Sequence, residues 1–157
     1  MNVFEERLLS LADFIEKLPP NQYRFETLWK NETECGSVGC ALGWASRVPL
    51  LRNIGVRGEM RRVEGRIVFM IRPKNGYKYM MPDTAAMKMF GLSQDECEDL
   101  FFGPLYVYVS VNNTWLRTVD DVLAKVQAGF PGSMAERLRQ FVKWRMFRAN
   151  YCGEAWT

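Results

Sequence analysis

"RRVEGRIVFMIRPKNGYKYMM", Arg61 to Met81, is where the hydrophobic period of this 157-residue chain changes from that of a helix to that of a strand. Arg66 to Ile71 is rich in β-branched and aromatic residues, and Tyr77 to Met81 alternates. Pro73-Lys74-Asn75-Gly76 lies between them, and its Asn-Gly pair is the strongest short-range hairpin signal, because a type I′ turn needs positive φ at both central positions. Arg61 to Val63, ahead of Glu64-Gly65, supplies a third strand. A small antiparallel sheet is therefore predicted over about 61–81.

Helical periodicity surrounds it. Val3, Phe4, Leu8, Leu11, Ala12 and Ile15 recur at helical spacing until Pro19-Pro20 stops the helix. Phe25, Leu28 and Trp29 are expected to fold back onto the core from a polar connection. Residues 84–90 form a short helix capped by Asp83 and closed by Gly91. Ser93 and Glu96 make a capping box, with Leu92 and Cys97 as its hydrophobic staple, opening a helix to about Phe102 that buries Cys97, Leu100 and Phe101. Leu105 to Val111 suits a strand or extended loop. Thr118 with Asp121 opens a helix to Gly129, and Ser133 with Glu136 opens another to about Phe147 or Ala149. The expected fold is α+β, a mostly helical single domain over residues 1–157.

"CGSVGCALGWA", Cys35 to Ala45, admits several chemistries. Cys35 and Cys40 have an admissible zinc-ligand spacing, yet Cys97 and Cys152 are remote and the chain has no histidine. Redox work needs Cys-x-x-Cys or an exposed thiolate, and a nucleophilic cysteine normally needs a histidine base. Gly36-Ser37-Val38-Gly39 lacks the Gly-Lys-Ser/Thr ending of a P-loop and does not match G-x-G-x-x-G. Packing explains the stretch better. A helix from about Ser37 to Arg47, ending before Pro49, would align Gly36, Gly39, Cys40 and Gly43 on one small face. Each helical glycine costs about 1 kcal/mol relative to alanine, which suits a close backbone approach. The cysteines are expected to be small buried filler.

With "AAMKMFGLSQDECEDLFF", residues 85–102, this stretch resembles a pattern in uncharacterised small proteins of bacteriophages and bacteria. There a Cys-Gly-x-x-x-Cys-x-x-Gly helix precedes an FGLS…LF segment and a C-terminal helix. The resemblance implies a phage or prophage setting and carries over no catalytic residues.

Composition narrows function further. No apolar run is long enough to span a bilayer, and the acidic start MNVFEERLLSLADF is no export signal, so the expectation is a bacterial host cytoplasm with reduced thiols. The net charge of +3 is unevenly spread, and arginine outnumbers lysine 14 to 7. Bases cluster at 55–80 and 134–148, and acids at 93–100. Lack of histidine excludes Ser-His-Asp triads and histidine-based metal hydrolysis.

Three functional classes remain. The favoured one is a non-catalytic binding protein of the phage accessory type, without cofactor or metal, that sequesters or blocks a host defence protein or an anionic nucleotide signal. Its candidate surface is the basic hairpin, where Arg61, Arg62, Arg66 and Lys78 would meet phosphates and Tyr77 and Tyr79 would stack on a base. A nucleic-acid binder using this hairpin and Arg137, Lys143, Arg148 and Trp144 of the C-terminal helix is the alternative, although no helix-turn-helix or zinc-finger signature is visible. A small enzyme is the third class. Its adjacent acids (Asp95/Glu96, Glu98/Asp99, Asp120/Asp121) point apart on a helix, so carboxylates from distant segments would have to converge.

Overall fold

Asn2 and Glu5 open the first helix with a reciprocal capping box: Glu5 N–H donates to Asn2 Oδ1 (3.0 Å), and Asn2 N–H donates to the Glu5 carboxylate (2.7 Å). The structure, a computed structural model, describes residues 2–19, 22, 30–32, 36–38, 41–102 and 131–152. In chain order these form α1 (Val3–Glu16), β1 (Lys30–Glu32), β2 (Gly36–Val38), α2 (Ala41–Ala45), α3 (Pro49–Asn53), β3 (Arg57–Val63), β4 (Arg66–Arg72), α4 (Pro82–Phe90), α5 (Gln94–Cys97) with a π-helical turn after it (Glu98–Phe102), and α6 (Pro131–Cys152). The fold is α+β, as the periodicity predicts.

The principal hairpin is shifted from its expected place. β3 and β4 pair antiparallel from Arg57↔Arg72 to Val63↔Arg66, so the turn is Glu64-Gly65 rather than Asn75-Gly76. Both turn residues have positive φ (50° and 78°), as a type I′ turn requires. Asn75-Gly76 still turns the chain, with Gly76 at φ 84°, but the Asn75 N–H is taken by the Ile54 carbonyl (3.0 Å). That bond ties the turn to the end of α3, and Pro73 removes a ladder donor just before it. The expected strand at Arg61 to Val63 is present as the end of the longer β3, whereas the expected strand at Tyr77 to Met81 shrinks to one bridge, Ile71↔Met80.

The glycine-rich stretch is also corrected. Gly36–Val38 is strand β2, paired antiparallel with β1 (Lys30↔Val38, Asn31↔Ser37, Glu32↔Gly36), and not the start of a helix. Glycine, serine and valine are all poor helix formers, so a short strand wins there. Helix α2 begins only at Ala41, and all five of its residues are buried. The small face expected to run from Gly36 to Gly43 is therefore absent; Cys35, Gly39 and Cys40 lie outside the described residues. Pro49, expected only to stop a helix, starts α3 from its first position, where its missing N–H costs nothing.

Leu8, Leu11, Ala12 and Ile15 of α1 meet Met134, Ala135, Leu138, Phe141 and Val142 of α6 in the core. Arg139 reaches Asp13 and Glu16 while Arg145 reaches Gly91, which lies against Phe4, so α6 runs antiparallel to α1. Phe69 and Ile71 of β4 close another side of the core, with Ala85, Ala86, Met89 and Phe90 of α4. Helix α4 starts at Pro82 after Met81, so Asp83 lies in its first turn rather than capping it, and the helix ends as predicted at Gly91 in the left-handed region. The Ser93/Glu96 box is present (Glu96 N–H to Ser93 Oγ, 3.1 Å; Ser93 N–H to Glu96, 2.8 Å). Helix α6 begins at Pro131, so Ser133 is inside it rather than capping it. The expected strand at 105–111, the Thr118/Asp121 helix, and Phe25, Leu28 and Trp29 lie outside the described residues.

Candidate functional site

Paired residues of an antiparallel ladder share a face, and successive residues alternate. One face of the β3–β4 hairpin therefore carries Gly58, Met60, Arg62, Ile67, Phe69 and Ile71, and its base is the core side. The other carries Arg57, Glu59, Arg61 and Val63 beside Arg66, Val68, Met70 and Arg72. Four arginines and one glutamate thus share the outward face.

Tyr79 completes that face. Met80 is bridged to Ile71 on the core side, which turns the preceding Tyr79 outward beside Arg72. The Arg61 guanidinium lies 4.0 Å from the Tyr79 ring centroid and Arg72 lies 5.9 Å from it. Arg61 also donates to Glu59 two residues back on its own strand. Arg57 and Arg72 serve the fold: Arg57 donates to the carbonyls of Arg52 (2.9 Å) and Val56 (2.7 Å), and Arg72 to that of Gly55 (3.0 Å).

A second cluster lies on the loop to α4. Tyr77, 40% exposed, has the Lys74 ammonium 4.8 Å and the Lys88 ammonium 5.6 Å from its ring centroid. Lys88 comes from α4, so loop and helix bring the two charges to one ring.

The expected site residues thus divide. Arg61 and Tyr79 are in contact, and Arg66 shares their face. Tyr77 belongs to the neighbouring cluster. Arg62 points to the opposite face and cannot join Arg61 at one phosphate. Arg62, Arg66 and Lys78 are exposed, and none makes a hydrogen bond or ion pair with another described residue. Sequence alone does not mark Arg72, Lys74 and Lys88 as site residues: Arg72 and Lys74 lie inside the basic segment 55–80, and Lys88 is one exposed position of a short helix.

The C-terminal helix is not the basic surface its charges suggested. Arg137 is fully buried. Arg139 is clamped to Asp13 (2.8 Å) and Glu16 (2.6 Å) of α1, and this pairing holds the Glu16 carboxyl below its ordinary range. Arg145 donates to the carbonyls of Phe90 (3.2 Å) and Gly91 (3.3 Å). Trp144 packs on Phe141, at 5.8 Å between ring centroids. Lys143 is exposed, and the side chain of Arg148 lies outside the described residues.

Cys97 is buried, its Sγ 3.5 Å from the Asp83 carbonyl, and burial pushes its thiol up to about 12. It packs and does not react at neutral pH. No three of cysteine, aspartate and glutamate converge among the described residues. None of the described helices is long and apolar enough to cross a membrane. Compared with known proteins, the chain matches no family model, no curated protein and no solved structure.

Proposed function

We propose that this protein is a non-catalytic binding protein that takes a small anionic ligand of the nucleotide class on the outward face of its hairpin and the adjoining loop. The observation that carries this is Tyr77, an exposed ring with two ammonium groups beside it, next to a second ring covered by Arg61. An aromatic face offers a base about 1–3 kcal/mol of stacking, and the neighbouring cations offer contacts to phosphate. Arg61 and Tyr79 form one end of the site, Tyr77, Lys74 and Lys88 the other, and Arg66 extends its positive field. In the phage setting that the resemblance implies, such a protein withdraws a nucleotide signal from a host system in the bacterial cytoplasm. Binding to nucleic acid through the C-terminal helix is disfavoured, because Arg137, Arg139 and Arg145 are spent within the fold.

Calorimetric titration with adenosine triphosphate, a cyclic dinucleotide and inorganic pyrophosphate tests this. Saturable binding of a nucleotide, with pyrophosphate much weaker, is expected. Tyr77→Ala, and Lys74→Ala with Lys88→Ala, should each weaken it by about tenfold or more, whereas Lys143→Ala should leave it unchanged. No saturable heat with either nucleotide, or equal affinity in all variants, would remove the assignment.

A further inference from the structure

Among the described residues the outer edge of β3 has no partner strand, and it carries a second pattern, set by backbone geometry, although Arg61 belongs to both sites. Glu59 to Val63 are all exposed, and among the described residues β4 is the only strand paired with β3. In a two-residue hairpin the closing pair, here Val63 and Arg66, exchanges its hydrogen bonds inward. Alternation then makes Arg62–Ile67, Met60–Phe69 and Gly58–Ile71 the non-bonded pairs. The backbone N–H and C=O groups of Gly58, Met60 and Arg62 therefore point outward along the edge.

We propose that this edge pairs antiparallel with β3 of a second copy of the chain, about a two-fold axis through Met60. Outward groups must meet outward groups, so even-numbered residues pair with even-numbered ones and few registers remain. Centring on Glu59 sets it against itself and Arg57 against Arg61. Centring on Arg61 or Arg62 sets that arginine against itself. Centring on Gly58 overlaps only residues 57–59 of β3, whereas centring on Met60 overlaps the whole strand. Centring on Met60 also sets Glu59 opposite Arg61 of the second copy, and the reverse, so the Arg61–Glu59 pair made within each strand extends across the seam. Both pairs sit at non-hydrogen-bonded positions, where cross-strand side chains come closest.

Size and polarity agree with this register. Arg62 falls opposite Gly58, which has no side chain to oppose it. Met60, 46% exposed, meets its counterpart, and Ile67, 63% exposed, lies diagonally beside it on the same face. The pairing covers an apolar strip that a lone hairpin leaves in water. It also joins two hairpins into one four-stranded sheet with both arginine faces on the same side.

Sedimentation equilibrium of the full chain over a range of concentrations tests the proposal. A monomer–dimer equilibrium is expected, and Glu59→Arg or Arg61→Glu alone should weaken it by about tenfold or more. The double variant, Glu59→Arg with Arg61→Glu, restores opposite charges across the axis and should dimerise again. Met60→Pro removes an outward N–H without touching the β3–β4 ladder, and should give a monomer with unchanged far-ultraviolet circular dichroism. A wild-type monomer at every concentration, a dimer indifferent to the single reversals, or a double variant that stays monomeric would each overturn the pairing.

Discussion

Three single residues show how closely the fold constrains its side chains. Arg137 looks like a surface charge in the sequence and is instead among the largest fully buried side chains. Gly91 ends α4 at φ 61°, and a Cβ there would lie 2.7 Å from the Phe4 ring. Gly91→Ala should therefore cost about 1–2 kcal/mol from the left-handed backbone alone, more with the collision. Shortening Phe4 in the same variant should recover the second part, read by denaturant melts as non-additivity. Cys97 sets a pH dependence. Its thiol is pushed to about 12 in the folded chain against an ordinary value of 9.0. Below that ordinary value both states keep the proton, and above it only the unfolded chain releases it. Stability should fall from about pH 9 to 12, with Cys97 contributing up to about 1.4 kcal/mol per pH unit. Cys97→Ala should remove that share of the slope, and native Cys97 should resist alkylation at pH 8.

At the scale of elements, the hairpin turn holds the one non-glycine residue with positive φ among the described residues. Glu64 occupies a left-handed position that asparagine or glycine fills at lower cost. Glu64→Asn should raise stability by about 1 kcal/mol, seen as a higher melting temperature with unchanged circular dichroism. Elements whose signal is local were legible in the sequence: α1 by its apolar stripe, the end of α4 by Gly91, and the start of α5 by Ser93 and Glu96. The Asn2/Glu5 box carries the same signature at the opening of the first apolar run. Elements that depend on distant partners were not legible. Asn75-Gly76 has the better turn composition, yet the Ile54 carbonyl captures Asn75 and the ladder closes at Glu64-Gly65. Cys35 to Ala45 divides between a strand and a helix because β1 offers Gly36–Val38 a pairing partner that periodicity cannot reveal.

For the whole molecule, the division of the arginines is the main lesson about the candidate site. Both the hairpin segment and the C-terminal helix read as basic, but burial and pairing absorb Arg137, Arg139 and Arg145 of the helix and leave Arg61, Arg62 and Arg66 of the hairpin exposed. Alternation alone sets Arg61 and Arg62 on opposite faces of a strand, but which of the two shares a face with Tyr79 depends on register and packing. The Arg139 clamp between the first and last helices has a measurable signature. Glu16 titrates below its ordinary value of 4.5 in the folded chain. Its contribution is complete above that value and disappears as pH falls through the lowered one. Arg139→Gln should therefore be less stable than wild type at neutral pH, and the two melting temperatures should converge in acid.

The end of α4 holds one more consequence, about order in time. Its last carbonyl groups are satisfied from both ends of the chain: Met89 by Arg7 of α1 (3.0 Å), and Phe90 and Gly91 by Arg145 of α6. The end of α4 is thus finished only when α6 arrives, about forty residues later in the chain. On the ribosome, the first hundred residues can form their hairpin and local caps, but this junction waits for α6 to emerge. Until then the side of α1 that meets α6 is uncovered, and the growing chain exposes Leu8, Leu11 and Ile15 to aggregation and proteolysis for as long as residues 131–152 have not emerged.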